Sequence, residues 1–279
     1  MTELRIGSHE VANYSSGEQL TIDHSPRPYL HPVRTLAGAD LTETGPEDHP
    51  HHYGVSAAIA DINGTTYWGG ASYVPGDGYV LLENQGREVG DPASVEPGRI
   101  AQHLTWFDHH VSPQLSEDRL ITAEALPDDD AWLLRWRSSL HADTTDLVIG
   151  SPATRGRTGA GYGGLFWRMS GDTRPTEVRV EEGGGAESAL GSLSPWLSLT
   201  QHRPFGPVTL LLAQPADGVL PWFVRTEGYV GAGPAVAWAE PRTLAHGETL
   251  DLHLWAVLTD RALTRDDARD LYHRLEQTR

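Results

Sequence analysis

The segment Leu250-Asp-Leu-His-Leu-Trp-Ala-Val-Leu258 decides the fold class, because an apolar residue occupies every second position. Side chains along a β-strand alternate between its two faces, so the even-numbered residues from Leu250 to Leu258 share one face. A period of two is typical of a strand that is buried on at least one side. The segment therefore predicts a long strand in a hydrophobic core.

Shorter runs of the same kind recur along the chain and predict further strands. They occupy residues 55–62, 131–137, 177–180 and 208–212. After the first run, Asn63-Gly64 precedes a short run at residues 65–68. Since Asn and Gly both tolerate positive φ, this dipeptide favours a two-residue turn, and the segment predicts a β-hairpin.

One helical pattern stands out, and it lies near the C-terminus. Thr264-Arg-Asp-Asp267 resembles a capping box in which Asp replaces the usual Glu or Gln. Ala268, Leu271, Tyr272 and Leu275 then follow at helical spacing. These features predict a C-terminal helix over about residues 264–277.

Glycine and proline punctuate the whole sequence, with 30 and 19 residues among 279. No linker-like tract divides the chain, and many short strands with one terminal helix favour a layered β architecture. We expect an all-β protein: a large antiparallel β-sandwich with one C-terminal α-helix, forming a single domain over residues 1–279. A barrel is the alternative.

Charge argues against polyanionic partners. Lys+Arg total 21 against 38 for Asp+Glu, which gives a formal net charge of −17. A field of this sign repels phosphate backbones and anionic lipid surfaces. We therefore expect no nucleic-acid partner and no membrane partner.

Three further features predict a cytoplasmic location. The longest strongly apolar stretch, residues 208–213, is far shorter than the roughly 20 residues that a spanning helix needs. The N-terminal residues lack the basic and apolar regions of a signal peptide. The sequence contains no cysteine, which excludes disulfides, thiolate metal ligands and cysteine nucleophiles.

Histidines concentrate in the segment Glu47-Asp-His-Pro-His-His-Tyr-Gly54. A proline biases the residue before it toward an extended conformation, which disfavours a helix here. In an extended chain His49 and His51 would project to one face, and Asp48 and His52 to the other.

Three interpretations fit this segment. A His-x-His pair offers two imidazoles to one divalent metal ion, so His49 and His51 are candidate metal ligands. His31 or His109 would complete a three-ligand site. Alternatively the imidazoles act as general acids and bases, since they titrate near neutral pH. The candidate catalytic residues are then His31, His49, His51 and His52; the third interpretation is a solvated surface loop.

Candidate substrate contacts lie in and around this segment. Arg34 would supply a planar donor fork for a carboxylate or for neighbouring sugar oxygens, or else a salt bridge within the protein. Residues 159–164 contain four glycines, which permit close backbone approach to a ligand, and Arg155, Arg157 and Arg168 flank them. Trp68 offers an aromatic face to a sugar ring, although core packing is the commoner role of tryptophan.

Together these motifs resemble the PmoA-like family. The resemblance rests on Tyr29-Leu-His-Pro-Val-Arg-Thr35, Asp48-His-Pro-His-His-Tyr-Gly54, Asn63-Gly64, Trp68-Gly69 and Tyr162-Gly-Gly-Leu-Phe-Trp-Arg168, and it spans most of the chain. The order and spacing of the His-Pro-Val-Arg and Asp-His-Pro-His-His motifs are its most specific part.

That family is labelled a methane oxygenase subunit, but such a subunit is a membrane protein and this sequence has no spanning segment. The resemblance therefore implies a soluble bacterial protein of largely uncharacterised function that is found among sugar-catabolic enzymes. It also implies a galactose-mutarotase-like β-supersandwich, a fold whose members bind or transform carbohydrates on a concave sheet face. By residue, it points to His31, Arg34, Asp48, His49, His51, His52, Tyr162 and Arg168.

We therefore expect an enzyme acting on a sugar or a related polyhydroxylated molecule by proton transfer, as an isomerase, epimerase or lyase. The expected substrate contacts are Arg34, Asp48, Trp68, Tyr162 and Arg168. Two alternatives stand beside it: a non-catalytic carbohydrate-binding protein, and an oxygenase that uses one divalent metal ion.

Overall fold

Two large antiparallel sheets dominate the part of the chain that the computed structural model describes, residues 2–127, 130–171 and 175–278. In chain order the strands are β1 (Thr2–Ile6), β2 (His9–Ser15), β3 (Tyr29–Val33), β4 (Val55–Ala58), β5 (Asp61–Ile62), β6 (Ser72–Val74), β7 (Gly78–Val80), β8 (Arg87–Gly90), β9 (Ser94–Glu96), β10 (Arg99–Phe107), β11 (Pro113–Leu126), β12 (Ala131–His141), β13 (Leu147–Gly150), β14 (Gly164–Met169), β15 (Thr176–Val180), β16 (Trp196–Arg203), β17 (Gly206–Ala213), β18 (Trp222–Arg225), β19 (Val230–Pro234), β20 (Arg242–Leu244) and β21 (Thr249–Thr259). The α-helices are α1 (Ala186–Ala189), a single turn, and α2 (Arg265–Gln277).

The seven-stranded sheet has the order β1-β2-β3-β4-β14-β19-β18. The nine-stranded sheet has the order β15-β16-β17-β21-β12-β11-β10-β8, with β9 also paired to β10. Two small sheets, β20-β13-β5 and β6-β7, complete the architecture. One hydrophobic cluster contains buried residues of both large sheets, so the predicted all-β sandwich is confirmed.

Strand β21 lies in the middle of the nine-stranded sheet and confirms the predicted alternation. Leu250, Leu252, Leu254, Ala256 and Leu258 all belong to the core between the sheets. Burial of each leucine contributes about 1.5–3 kcal/mol, because apolar surface leaves water. The strand is thus held on one face by the opposite sheet.

The predicted C-terminal helix is also confirmed. The Thr264 side chain accepts a hydrogen bond from the Asp267 backbone, and the Asp267 side chain accepts one from the Thr264 backbone. Helix α2 then buries Ala268 and Leu271 against the outer face of the nine-stranded sheet, where Trp255 lies. Among the helices in the described ranges, none has the length and apolar character needed to cross a membrane.

The predicted strand at residues 55–62 is divided. Its first half, β4, pairs within the seven-stranded sheet, whereas β5 pairs with β13 in a small sheet, where Ile62 faces Ile149. The Asn63-Gly64 turn forms as predicted, with φ of 49° and 89°. Residues 65–68 do not form a strand, because Thr65 bridges back to Ile62 whereas Thr66 pairs with Gln85 instead of continuing the hairpin.

A fully buried ionic cluster lies inside the sandwich. Arg119 of β11 donates hydrogen bonds to Glu88 at 2.9 Å and to Glu117 at 2.7 Å, and all three side chains are inaccessible to water. Trp106 donates to Glu117 at 2.9 Å, and the Arg119 guanidinium lies 5.0 Å from the ring centre of Trp136. Burial raises the pKa of Glu88, which the neighbouring positive charge of Arg119 opposes.

Candidate functional site

A cavity of about 520 Å³ opens on the outer face of the seven-stranded sheet. Alternation along the strands creates this face: Trp222 and Val224 of β18 point into the core, and Phe223 and Arg225 point outward into the cavity. The volume lies within the range of about 300–1,000 Å³ that is typical of small-molecule sites. The loop between β3 and β4 supplies the polar wall.

That loop brings His49, His51 and His52 together. A hydrogen bond of 3.0 Å from the His52 N–H to the His49 carbonyl closes a turn with Pro50 at its second position. Proline favours this position because its φ is preset near −65°. The expected extended segment, with histidines on opposite faces, is therefore wrong: a turn places all three beside one cavity.

The three imidazoles contact one another directly. His49 stacks on His52 with ring centres 4.7 Å apart and an angle of 25°, and His51 meets His52 edge-on at 4.8 Å. Tyr229 packs against His49 at 4.7 Å and against His52 at 5.1 Å. Because each ring is braced by another, the cluster presents its nitrogens in a defined geometry.

Asp48 and His49 form a carboxylate–imidazole pair. Nδ1 of His49 lies 2.8 Å from a carboxylate oxygen of Asp48. Partial burial raises the pKa of Asp48, but the hydrogen bond and charge of His49 outweigh it and hold the pKa below its ordinary value. In the neutral tautomer that donates Nδ1–H to the carboxylate, the lone pair of the ring lies on Nε2, as a general base requires.

His51 and His52 are held neutral. Burial, helped by the charge of Arg27, lowers the pKa of His51 to about 3. Burial also lowers the pKa of His52, with smaller effects from the neighbouring histidines and Arg168. A guanidinium nitrogen of Arg168 lies 3.4 Å from Nδ1 of His52. Since guanidinium only donates, Nδ1 accepts, and the His52 proton resides on Nε2.

Arg168, an expected substrate contact, lies behind the histidines. Its side chain is buried and donates to Glu43 at 2.8 Å. Its guanidinium also lies 4.6 Å from the ring centre of Tyr229. These contacts attach the histidine loop to strand β14, so Arg168 positions the site and does not line the cavity.

The structure does not bring His31 and Arg34 into the cavity. Nδ1 of His31 lies 3.0 Å from the Thr42 hydroxyl, on strand β3. Arg34 forms salt bridges with Asp40 at 2.9 Å and with Glu10 at 3.3 Å. Of the two roles considered for Arg34, the structure therefore shows the salt bridge within the protein. Both residues belong to the resembling motif, but they are placed to support the loop between β3 and β4 rather than to touch a ligand in this cavity.

The three-ligand metal centre considered from the sequence has no counterpart in this geometry. Within residues 2–127, 130–171 and 175–278, no group of three or more His, Cys, Asp or Glu side chains is spaced to hold a metal ion. His109 lies at a separate position, where its Nδ1 is 2.7 Å from the Thr65 hydroxyl. The paired His49 and His51 thus lack a third ligand from the described residues.

Aromatic residues form the cavity's apolar wall. Trp68 and Tyr162, both expected from the sequence, lie 4.5 Å apart between ring centres, and Phe223 meets Tyr162 at 5.5 Å. The hydroxyl of Tyr79 lies 3.1 Å from that of Tyr162. Arg157, which precedes the glycine-rich segment, donates to the same Tyr79 hydroxyl.

Sequence reasoning missed Tyr79, Phe223, Arg225 and Tyr229 as cavity residues. They come from β7, β18 and the turn after β18, far from the histidine segment in the chain. The alternation in Trp222-Phe-Val-Arg225 was an available signal for an outward-facing Phe and Arg. Nothing local indicated which sheet face would carry the cavity.

Gly70 is expected to be essential for the position of His51. Its φ is 70°, and a methyl group added there would lie 2.6 Å from Nδ1 of His51. We expect Gly70→Ala to lower the free energy of unfolding by about 1–3 kcal/mol more than Gly76→Ala, because of overpacking. Gly76 has φ of 91° and no atom within 4 Å of the added methyl, so it controls for backbone strain alone.

Denaturant unfolding of both variants measures this difference, and the NMR signals of the His51 ring report its displacement. If both variants lost the same free energy of unfolding, the position of His51 would not depend on the absence of a side chain at residue 70.

Stability is expected to fall as the pH falls from 7 to 4.5. The pKa of His51 is about 3 in the fold and about 6.5 in the unfolded chain. Between these two pH values the unfolded chain binds more protons than the folded protein does. Acidification from pH 7 to 4.5 therefore lowers the free energy of unfolding by roughly 2 kcal/mol through His51 alone. Denaturant titrations of the wild type and His51→Gln at both pH values test this.

The two proteins differ only at residue 51, so the difference between them reports the contribution of His51 together with its effect on the adjacent His52. We expect the variant to lose less stability on acidification. An identical loss would contradict the assignment of a depressed pKa to this histidine.

Comparison with known proteins adds a family but no activity. No curated protein matches the sequence. A family model described as a family of unknown function, DUF6807, matches residues 1–273. Since that match covers nearly the whole chain, the protein belongs to the DUF6807 family.

Proposed function

We propose that this protein is an enzyme that transfers a proton on a sugar or a related polyhydroxylated small molecule. The observation that carries the proposal is the Asp48–His49 pair at a cavity that two neutral histidines also line. A hydrogen-bonded carboxylate orients an imidazole and stabilises the imidazolium that forms when the ring takes a proton. His49 is the proposed base.

The proposed chemistry begins at a carbon next to a carbonyl group. Nε2 of His49 takes the proton from that carbon, and the electron pair of the C–H bond moves onto the carbonyl oxygen as an enolate. For isomerisation, the proton of the α-hydroxyl group moves to the enolate oxygen, the carbon-bound proton returns to the former carbonyl carbon, and the α-hydroxyl becomes the new carbonyl group. Return of the proton to the opposite face of the original carbon gives epimerisation. Loss of a β-hydroxyl with that proton, as water, gives elimination.

Neighbouring side chains support this assignment. His52 carries its proton on Nε2, so it can donate a hydrogen bond to a developing oxyanion. The chain contains no cysteine, and all 21 of its Lys+Arg residues are arginine. Imidazole is therefore the side chain at this site best able to exchange protons near neutral pH.

The aromatic wall supports a sugar-like substrate. Trp68, Tyr162 and Phe223 offer apolar surface beside polar histidines, a combination that suits a ring with one apolar face and several hydroxyls. The same wall favours one alternative function, carbohydrate binding without catalysis. The two differ in whether the histidines are needed for chemistry or only for contact.

Solvent exchange tests the proposal whichever product forms. The protein is incubated in D₂O with hexoses, ketohexoses, uronic acids and their keto derivatives, and carbon-bound deuterium is followed by NMR and mass spectrometry. We expect enzyme-dependent deuterium at one carbon next to a carbonyl group. Binding of a sugar without any exchange above heat-denatured protein would overturn the catalytic proposal in favour of binding alone.

A further inference from the structure

Two arginines give the cavity a local charge opposite to that of the whole protein. Arg157 and Arg225 both line the cavity, although acidic residues outnumber basic ones by 38 to 21 in the sequence. The cavity lining contains one carboxylate, Asp48, which already accepts a hydrogen bond from His49. The two positive charges of the cavity lining therefore exceed its one negative charge.

Both guanidinium groups are held by tyrosine rings. Arg157 lies 4.6 Å from the ring centre of Tyr79 and donates to its hydroxyl. Arg225 lies 5.6 Å from the ring centre of Tyr229. Stacking on aromatic faces fixes the plane of a guanidinium while its outer N–H donors stay available.

Neither arginine has an acidic partner among the residues that the structure describes. Arg155, two positions before Arg157, shows the contrast, since it pairs with Asp61 away from this cavity. A guanidinium without a counter-ion in a partly enclosed cavity favours an anionic ligand, and its fork matches the two oxygens of a carboxylate.

We propose that the substrate is a sugar acid, whose carboxylate is bound by Arg157 and Arg225. This inference rests on the proposed function and names its substrate class. Removal of a proton from the carbon next to a carboxylate is difficult, because the electron pair left behind adds a second negative charge to the carboxylate group. Two guanidinium groups neutralise that charge as His49 takes the proton, so the arginines act on both binding and proton transfer.

Paired ligands test this directly. Isothermal titration at low salt compares D-galacturonate with D-galactose, D-glucuronate with D-glucose, and both acids with D-glucose 6-phosphate. A charge-assisted contact of this kind is expected to give each uronate about tenfold or greater preference over its neutral partner. The preference is expected to weaken as salt is added.

Matched variants locate the preference. Arg157→Gln and Arg225→Gln are each expected to remove most of it, whereas Arg155→Gln leaves it unchanged. The inference is overturned if no uronate binds more tightly than its neutral partner, if none binds at all, or if the sugar phosphate binds more tightly than both uronates. It is also overturned if Arg155→Gln lowers the preference as much as the other two variants.

The two proposals fail separately. Proton exchange on neutral sugars without a preference for acids would keep the enzymatic proposal and overturn the sugar-acid inference. Tight, arginine-dependent binding of uronates without deuterium exchange would keep the inference about the ligand and overturn catalysis.

Discussion

Replacing Arg119 with methionine is expected to lower the free energy of unfolding by about 3–5 kcal/mol. Arg119 lies between Glu88 and Glu117, and none of the three side chains has any accessible surface. Removing the cation leaves two acidic groups buried without the guanidinium that pairs with both of them, and they must then ionise in an apolar interior or take up protons. Either route weakens the fold.

A control on the neighbouring strand isolates the effect of burial. Arg137 of β12 also forms an ion pair, with Asp251 at 3.2 Å, but its side chain is 53% exposed. We expect Arg137→Met to cost less than about 1 kcal/mol, because water screens an exposed pair. Urea unfolding followed by tryptophan fluorescence measures both variants.

A compensated variant distinguishes lost attraction from unpaired charge. In Arg119→Met/Glu88→Gln/Glu117→Gln no ionisable group of the cluster remains, so part of the lost stability is expected to return. If Arg119→Met is no more destabilising than Arg137→Met, the buried cluster does not contribute as the geometry indicates.

The cluster also bears on the cavity, because Arg27 lies between them. Its buried guanidinium donates to the His51 carbonyl at 2.9 Å and to the Ser56 hydroxyl at 3.1 Å. Burial lowers the pKa of Arg27 to about 10, and the nearby negative charge of Glu88 opposes that shift. The loop that carries the histidines is therefore anchored from inside the sandwich as well as from β14.

The fold was predictable where the decisive interactions are local or periodic. Alternation in residues 250–258 identified the core face of β21, and the capping residues Thr264 and Asp267 identified the start of α2. The division of residues 55–62 between two sheets was not predictable, because both halves have the same alternation. Only pairing with β13 and β14, far along the chain, separates them.

The candidate site was predictable in part. His49, His51, His52, Trp68 and Tyr162 were identified by residue type and spacing, and all of them line the cavity. The arrangement of the histidines was not predictable, since an extended segment and a turn are both compatible with His-Pro-His-His. The turn is selected by contacts with distant residues, such as Arg168 and Tyr229, that local sequence cannot reveal.

Replacing His49 with glutamine is expected to lower the rate of enzyme-dependent deuterium exchange by about 10²–10⁴-fold, the usual contribution of a general base. Glutamine keeps similar bulk and polarity but cannot take a proton. Because the His49 side chain is 31% exposed, we expect little change in stability. Exchange rates and unfolding curves measured on one preparation keep the two effects apart.

A second Asp–His pair supplies the matched control. Nδ1 of His103 lies 2.8 Å from Asp118, the same separation as in the Asp48–His49 pair, but outside the cavity. We expect His103→Gln to leave the exchange rate unchanged. That result would show that an Asp–His pair supports exchange only when it lies at the cavity.

His31→Gln tests whether His31 takes part in the chemistry or only supports the loop between β3 and β4, where His31 contacts Thr42. If His31→Gln lowered the exchange rate as much as His49→Gln does, the assignment of His49 as the base would be contradicted.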